Sequence, residues 1–561
     1  MFAAVGMLAV LCGISLQKLS VDGNIIWDSK WLIYVLSCSL AGGSALGCVV
    51  FQLLLLAEQR MHKHPLTIQS RKIPQQTVDG RKAFFCSWLC MCLCWLPAYL
   101  AYYPAICSYD MTIQLGQILE QAYNDHHPIF HTLMIRGFME LGEGLGSVNL
   151  GIGLYALLQM LVLAAAFGAG IALLAKNGVK RVWLILLTVY GCVFPFHMYM
   201  SISVTKDTLF AAFLLLMLIL LGHLLDKEQN TLKPAAADAA YLLCAIGVIV
   251  FRGNGRYAIL VLLAVLVLTT LCGKKVRKMY ARILTETVAA FIVGSVLLNG
   301  VFELTGAGQG DRREMLSMPI QQLARVMVYH SGEDVVPADD HTLDEASKAL
   351  LNDFMLNEAW KNYRPDIADP VKRHTNTYVA RFRAKEFVQT YIGLFLRYPG
   401  DYINAALATN SGYLYPGDES HAVINVNGRD RGLGYVQTRW VENELNPAGI
   451  YKDSKWEWLH GKLEEFADSN GYLKIPILKY VFVPGTYLWL YLFLAAWLWY
   501  HKNYRCLIPI ALVGGYYMTL FLGPTVQLRY LYPLMVAWPF LAILFGAGSR
   551  NGQKSVTPVL K

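Results

Sequence analysis

The sequence predicts an all-α polytopic membrane protein of about twelve transmembrane helices, with a mostly helical extracytoplasmic domain inserted between spans nine and ten. Three observations carry that prediction. Of 561 residues, 55% are hydrophobic and 16% charged, above and below the respective averages for soluble domains. The apolar residues gather into runs, most of them of bilayer-crossing length, for which about 17–25 residues are needed. Lys and Arg alternate between rich and poor in successive loops, as they do where every second loop faces the cytoplasm.

In chain order the spans fall at 2–16, 31–57, 84–103, 150–175, 182–196, 209–225, 239–250, 257–272, 285–301, 480–499, 506–522 and 530–547. The first and the seventh are short for a bilayer. Loops assigned to the cytoplasm hold 21 Lys and Arg, against seven in the short outer loops. That asymmetry puts both termini inside and reads the formal charge of +9 as an orientation signal, so no nucleic-acid partner is expected. The first apolar run lacks a basic start and a small-residue cleavage pattern, which makes it a span and not a cleaved signal. Cysteines crowd span three at 86, 90, 92 and 94 and are absent from 304–478. They read as small apolar filler and not as a thiol or metal cluster. With no N-x-S/T acceptor in the chain, a bacterial cytoplasmic membrane is the expected location.

The chain then divides into a membrane part at 1–303 with a first large outer loop at 104–149, an extracytoplasmic domain at 304–478, a second membrane part at 479–548 and a cytoplasmic tail at 549–561. In the outer loop, Ile113, Gln114, Gln117, Ile118 and Gln121 recur at helical spacing, which predicts an interfacial amphipathic helix over 111–123. A second helix is expected from Pro128. In the inserted domain, Thr342-Leu343-Asp344-Glu345 has the form of a capping box. Asp369-Pro370 opens a long helix toward Arg397, and the Gly-, Asn- and Pro-rich run beyond Tyr398 reads as loops.

Once the spans are oriented, the polar residues fit for chemistry fall at outer ends. Asp110 follows span three; it suits an N-cap, and equally a general base for an acceptor hydroxyl. His126 and His127, with His131, could hydrogen-bond a phosphate or sugar, and their number also admits a divalent metal ion. His127 precedes Pro128, however, which keeps it off the following helix. Lys206-Asp207 opens span six, where a lysine opposes the helix dipole unless an anion sits there; its plain alternative is snorkelling to headgroups. Arg252 and Asn254 sit in an Arg-Gly-Asn-Gly-Arg turn whose glycines suit a left-handed backbone. Arg529-Tyr530 opens span twelve, and an Arg there can grip a phosphate through two parallel bonds. One acid and several cations from five loops at one depth are functional candidates by default.

At Tyr109-Asp110, Asp125-His126-His127-Pro128, Ser203-Val204-Thr205-Lys206-Asp207-Thr208, Arg252 to Asn254 and Arg529-Tyr530 with Pro533, the chain resembles the GT-C superfamily of integral-membrane glycosyltransferases, specifically a bacterial branch of it. Met318-Pro319-Ile320-Gln321-Gln322 is similar to that branch as well. The resemblance implies transfer of a sugar from a polyprenyl-phosphate donor to a glycan, lipid or protein acceptor on the outer face. It maps the general base onto Asp110 and the donor phosphate onto Arg529, Lys206 and Arg252. His126, His127, Asp207, Asn254, Tyr530 and Gln321 are the substrate contacts expected. The inserted domain precedes the last three spans, where better-known members carry theirs after all spans.

Two other functions fit the same composition. A lipid-linked glycan polymerase or ligase would need more Arg to hold a pyrophosphate carrier. A transporter or flippase would place ionisable groups near the midplane and show internal repeats, and neither is evident in this sequence.

Overall fold

The structure, a computed structural model, describes residues 1–63, 78–107, 109–225, 234–272, 277–310, 312–332, 343–419, 440–477 and 479–548. Among these the fold is all helical, with isolated bridges and no strand. Among the described residues, ten helices are long and apolar enough to cross a membrane, and an eleventh crossing is formed if Arg181–Val193 and Pro195–Ile202, bent by 58°, act as one. The protein is therefore a polytopic helical protein. The two spans that looked short are not: Phe2–Asp22 runs 21 residues and Pro234–Phe251 runs 18. Polar ends that hydropathy trims away remain hydrogen-bonded turns. Conversely, the segment expected as span ten is the 16-residue helix Gly485–Tyr500. The basic loops around Arg71 and Lys274 and the tail at 549–561 lie outside the described residues.

The bundle is organised around Lys206–Leu225, the most buried of the ten. It is apolar on every side, as a helix surrounded by others must be, and packs against Val148–Lys176, Pro234–Phe251 and Leu528–Gly548. At the edge, Phe2–Asp22 crosses Ser29–Arg60 at backbone contact. A Cβ on Gly6 would lie 2.0 Å from the Gly43 carbonyl oxygen, and one on Gly47 would lie 2.3 Å from that of Phe2. Gly43 and Gly47 are four residues apart, the small-residue spacing that lets membrane helices touch.

A second apolar core, from Ile320 and Leu323 through Trp360 to Tyr402, gathers the short helices of 317–409. It is tied to the same end of the bundle as Arg529: the Ala368 N–H donates to the Pro524 carbonyl at 2.8 Å and the Thr525 hydroxyl to that of Asp366 at 3.0 Å. Three sequence expectations change here. The long helix from Asp369 is broken into Asp369–Lys372, Thr377–Phe382 and Ala384–Arg397. The cap of Glu345–Phe354 is Asp344, which accepts from the Ser347 N–H at 2.8 Å, while Thr342 lies outside the described residues. The stretch after Tyr398 opens as the helix Pro399–Thr409, since Pro suits the first helical turn; 420–439 lie outside the described residues.

Candidate functional site

The site begins with how two chain segments meet. After the Gly80–Ala101 helix, residues 105–107 run extended beside 202–204: the Ile106 N–H donates to the Ile202 carbonyl at 3.0 Å, and the Val204 N–H to that of Ile106 at 2.9 Å. This pairing lays the start of Tyr109–Leu119, with Asp110 in its first turn, beside the start of Lys206–Leu225. Thr205 stitches the latter end, its hydroxyl 3.2 Å from Asp207 Oδ2.

Asp110 Oδ2 accepts from Lys206 Nζ at 3.0 Å and from Arg529 Nη1 at 2.7 Å. Lys206 Nζ also donates to His127 Nδ1 at 2.9 Å, which leaves the proton of neutral His127 on Nε2, buried and without a partner. Asp207, 0% exposed, pairs with Arg252 and stands 3.9 Å from Arg529. The Arg252 guanidinium lies over the Tyr530 ring at 4.7 Å and close to Phe210 and Tyr516. Arg529 is held from behind by Gln527, whose Oε1 accepts from Nε at 2.6 Å. Six of the predicted residues thus form one cluster, with Tyr530 as its floor.

Its electrostatics follow from composition. Lys206, Arg252 and Arg529 against Asp110 and Asp207 leave one surplus positive charge. Burial alone would raise the Asp110 carboxyl, but the Arg529 guanidinium and then the Lys206 ammonium outweigh it and hold the group well below the usual carboxylate range. Burial and the Lys206 charge push His127 well below the ordinary histidine value. Burial does the same to His131, down to about 3. Both imidazoles are neutral, so at neutral pH the cluster is a cationic cup with a net charge of plus one.

The remaining candidates go elsewhere. His126 is exposed, its ring set edge-on against His127 at 4.6 Å. His131 turns away from the other two, its Nδ1 donating to Gln114 Oε1 at 2.9 Å. Among the described residues no three His, Cys, Asp or Glu side chains converge as a metal would require. Asn254 bonds Thr519 at 2.9 Å instead of the cluster. Gln321 lies in the second core, donating to the Arg364 carbonyl and to Thr409. The Arg252–Arg256 turn needs no left-handed glycine: the Gly253–Cys272 helix starts at once, and Gly255 serves close packing, since a Cβ there would lie only 2.2 Å from the Val248 carbonyl oxygen.

The amphipathic helix ends at Leu119, short of the expected Tyr123. In Tyr109–Leu119 the polar Gln114 and Gln117 face inward and Ile113 outward, because Gln114 joins His131 to Thr132 and Gln117 reaches Asn124. Sequence reasoning missed Gln527, Phe210 and Tyr516. Gln527 lies two residues before Arg529 and was within reach; the two aromatics are ordinary apolar positions of a span and carry no local signal.

A family described as a family of unknown function (DUF6020) matches residues 118–557. The chain belongs to this family. The matched region includes His127, Lys206, Asp207, Arg252 and Arg529, while Asp110 stands eight residues ahead of its start. No curated protein and no solved structure shows significant similarity to the chain.

Proposed function

We propose that the protein is a membrane glycosyltransferase that moves a sugar from a polyprenyl-phosphate donor to a cell-envelope acceptor on the outer face of the cytoplasmic membrane. The observation that carries this reading is the convergence of Asp110 with Lys206 and Arg529, from three separate segments, in one buried cluster of surplus positive charge. A phosphate at headgroup depth needs such a cup, and the acceptor hydroxyl needs a carboxylate beside it.

In this reading the donor phosphate displaces Asp110 as the partner of Lys206 and Arg529, with Arg252 adding charge from behind. The unpartnered His127 Nε2–H offers the phosphate a further donor. Losing its two cations returns the Asp110 carboxylate toward ordinary basicity. Its Oδ2 alone carries the two ion pairs, so Oδ1 is the oxygen on which we place the acceptor proton. The acceptor oxygen bonds to the anomeric carbon as the bond from that carbon to the phosphate oxygen breaks. The proton passes to Asp110, and the electron pair leaves on the carrier phosphate, where the fixed cations stabilise it most in a dry site. One observation favours a carrier instead: the bent pair Arg181–Val193 and Pro195–Ile202 resembles the interrupted helices of transporters. Its break at Phe194 is packed by the rings of Tyr190, Phe196 and Phe482, and the charges lie at helix ends instead. Purified protein incubated with a panel of polyprenyl-phosphate sugars should release free carrier phosphate; no release from any donor, together with substrate translocation in vesicles, would overturn the enzyme in favour of the carrier.

A further inference from the structure

A second polar cluster adjoins the 105–107 segment. The Glu457–Ser469 helix is latched onto the end of Gly80–Ala101: the Lys455 N–H donates to the Leu100 carbonyl at 2.8 Å and the Asp453 N–H to that of Tyr103 at 3.1 Å. The Tyr199 hydroxyl closes the other side on the Leu463 carbonyl at 2.9 Å. Between them is a partly enclosed pocket of about 40 Å³ lined by Tyr102, Cys107, Trp440, Lys452, His460 and Glu464. That volume holds one water or one hydroxyl-sized group.

We propose that this pocket is the acceptor subsite, and that what it takes is a neutral hydroxyl-rich group, a sugar or polyol; the assignment to an acceptor rests on the transferase reading above. Three features point to that ligand. Buried His460 stands with Nε2 3.1 Å from Glu464, yet neither ring nitrogen completes a hydrogen bond. Buried polar groups are as a rule hydrogen-bonded, so a ligand hydroxyl at this ring would complete what the protein leaves open. Lys452 and Glu464 stand 3.9 Å apart with opposite charge, so the lining has no net charge to attract an ion. It instead offers a donor and an acceptor, which a hydroxyl can use together. Half-buried Trp440 supplies an apolar ring face for the rest of a sugar, while Tyr102 is buried against Tyr199 and His460 and closes the wall. Cys107 is only a wall: burial pushes its thiol up to about 12, which leaves it no nucleophile. The place is also right. Cys107 is three residues before Asp110, so wall and carboxylate are joined by at most about 11 Å of chain.

Saturation-transfer NMR on the full chain in detergent, with methyl hexosides at millimolar concentration and no lipid donor, tests this. Magnetisation should reach the sugar protons in the wild type. It should fall with an affinity about tenfold weaker in Glu464→Gln, the loss of one charge-assisted bond, and similarly in Trp440→Ala. Trp440→Phe, which keeps a ring, should retain binding. No transfer in the wild type, or equal transfer in Glu464→Gln, would overturn the pocket. Binding of ethanolamine or phosphocholine in place of the sugars would overturn the ligand class. A protein that binds hexosides through Glu464 but releases no carrier keeps the pocket and loses the transferase. One that releases carrier without binding any hexoside loses the pocket alone.

Discussion

Replacing Asp110 with Asn removes one negative charge from a group that two cations share at 3.0 and 2.7 Å. At an effective dielectric of about 20, each such pair is worth roughly 6 kcal/mol before desolvation is counted. The net cost of breaking a buried pair by deleting one partner is about 3–5 kcal/mol. The side chains here are 8%, 12% and 7% exposed, so solvent screening lowers that figure little, and we expect the lower end because Asn can still accept one bond. The melting temperature should fall by a few degrees, and Asp110→Glu should recover most of it. The decisive readouts are two. Turnover, measured as carrier release, should drop by about 10²–10⁴, the usual contribution of a general base. Affinity for a short-chain polyprenyl phosphate, measured by calorimetry in detergent, should rise at least about tenfold, because Lys206 and Arg529 lose the internal anion that competes with it. A merely structural carboxylate would weaken ligand binding along with the fold. Wild-type turnover in Asp110→Asn removes the base; unchanged or weaker phosphate binding removes the cup.

Arg529→Gln should raise the KM for the lipid donor by about ten- to a hundredfold, the value of one charge-assisted bond, and an unchanged donor KM would assign the phosphate elsewhere. His131 is buried neutral with its folded pKa lowered to about 3 from 6.5. Its unfolded form therefore binds a proton that the folded form refuses. Stability is full above about pH 6.5 and is lost as pH falls toward 3, by about 1.4 kcal/mol per pH unit. Melting curves of the wild type should steepen below pH 6.5 relative to His131→Gln, and parallel curves would contradict the buried neutral ring. Gly43→Leu must push Phe2–Asp22 away from Ser29–Arg60, since even a Cβ would meet Met7 Cα at 2.3 Å. Overpacking of this kind costs about 1–3 kcal/mol, and a melting temperature equal to wild type would argue against the tight crossing.

How much of this was legible without coordinates differs from one level to the next. The helical character, the apolar spans and the candidate residues were readable because hydropathy and local charge act over a few neighbours along the chain. Asp110, Lys206, Arg252 and Arg529 stood out for the same reason: a charge at the end of an apolar run is anomalous wherever the run leads. Helix ends were less legible. The C-terminal end of Phe2–Asp22 is polar yet hydrogen-bonded, so hydropathy cut it short, and the three helices of 369–397 are separated by breaks that no proline or glycine marks. The inward turn of Gln114 and Gln117 in Tyr109–Leu119 was not legible either, because only their partners decide which side is inside.

The sequence by itself determined that this is a helical, many-span chain with an unusual set of charged residues at the ends of its spans, since both properties are local. Only the tertiary structure decided that five of those residues meet, together with His127, that Asp110 is shared between Lys206 and Arg529, and that Asn254 and Gln321 stand apart from them. It also decided that His460 and Glu464 form a second pocket behind Cys107. Pairing across hundreds of residues depends on how helices pack, and packing is set by the whole bundle at once, not by any stretch of chain within it.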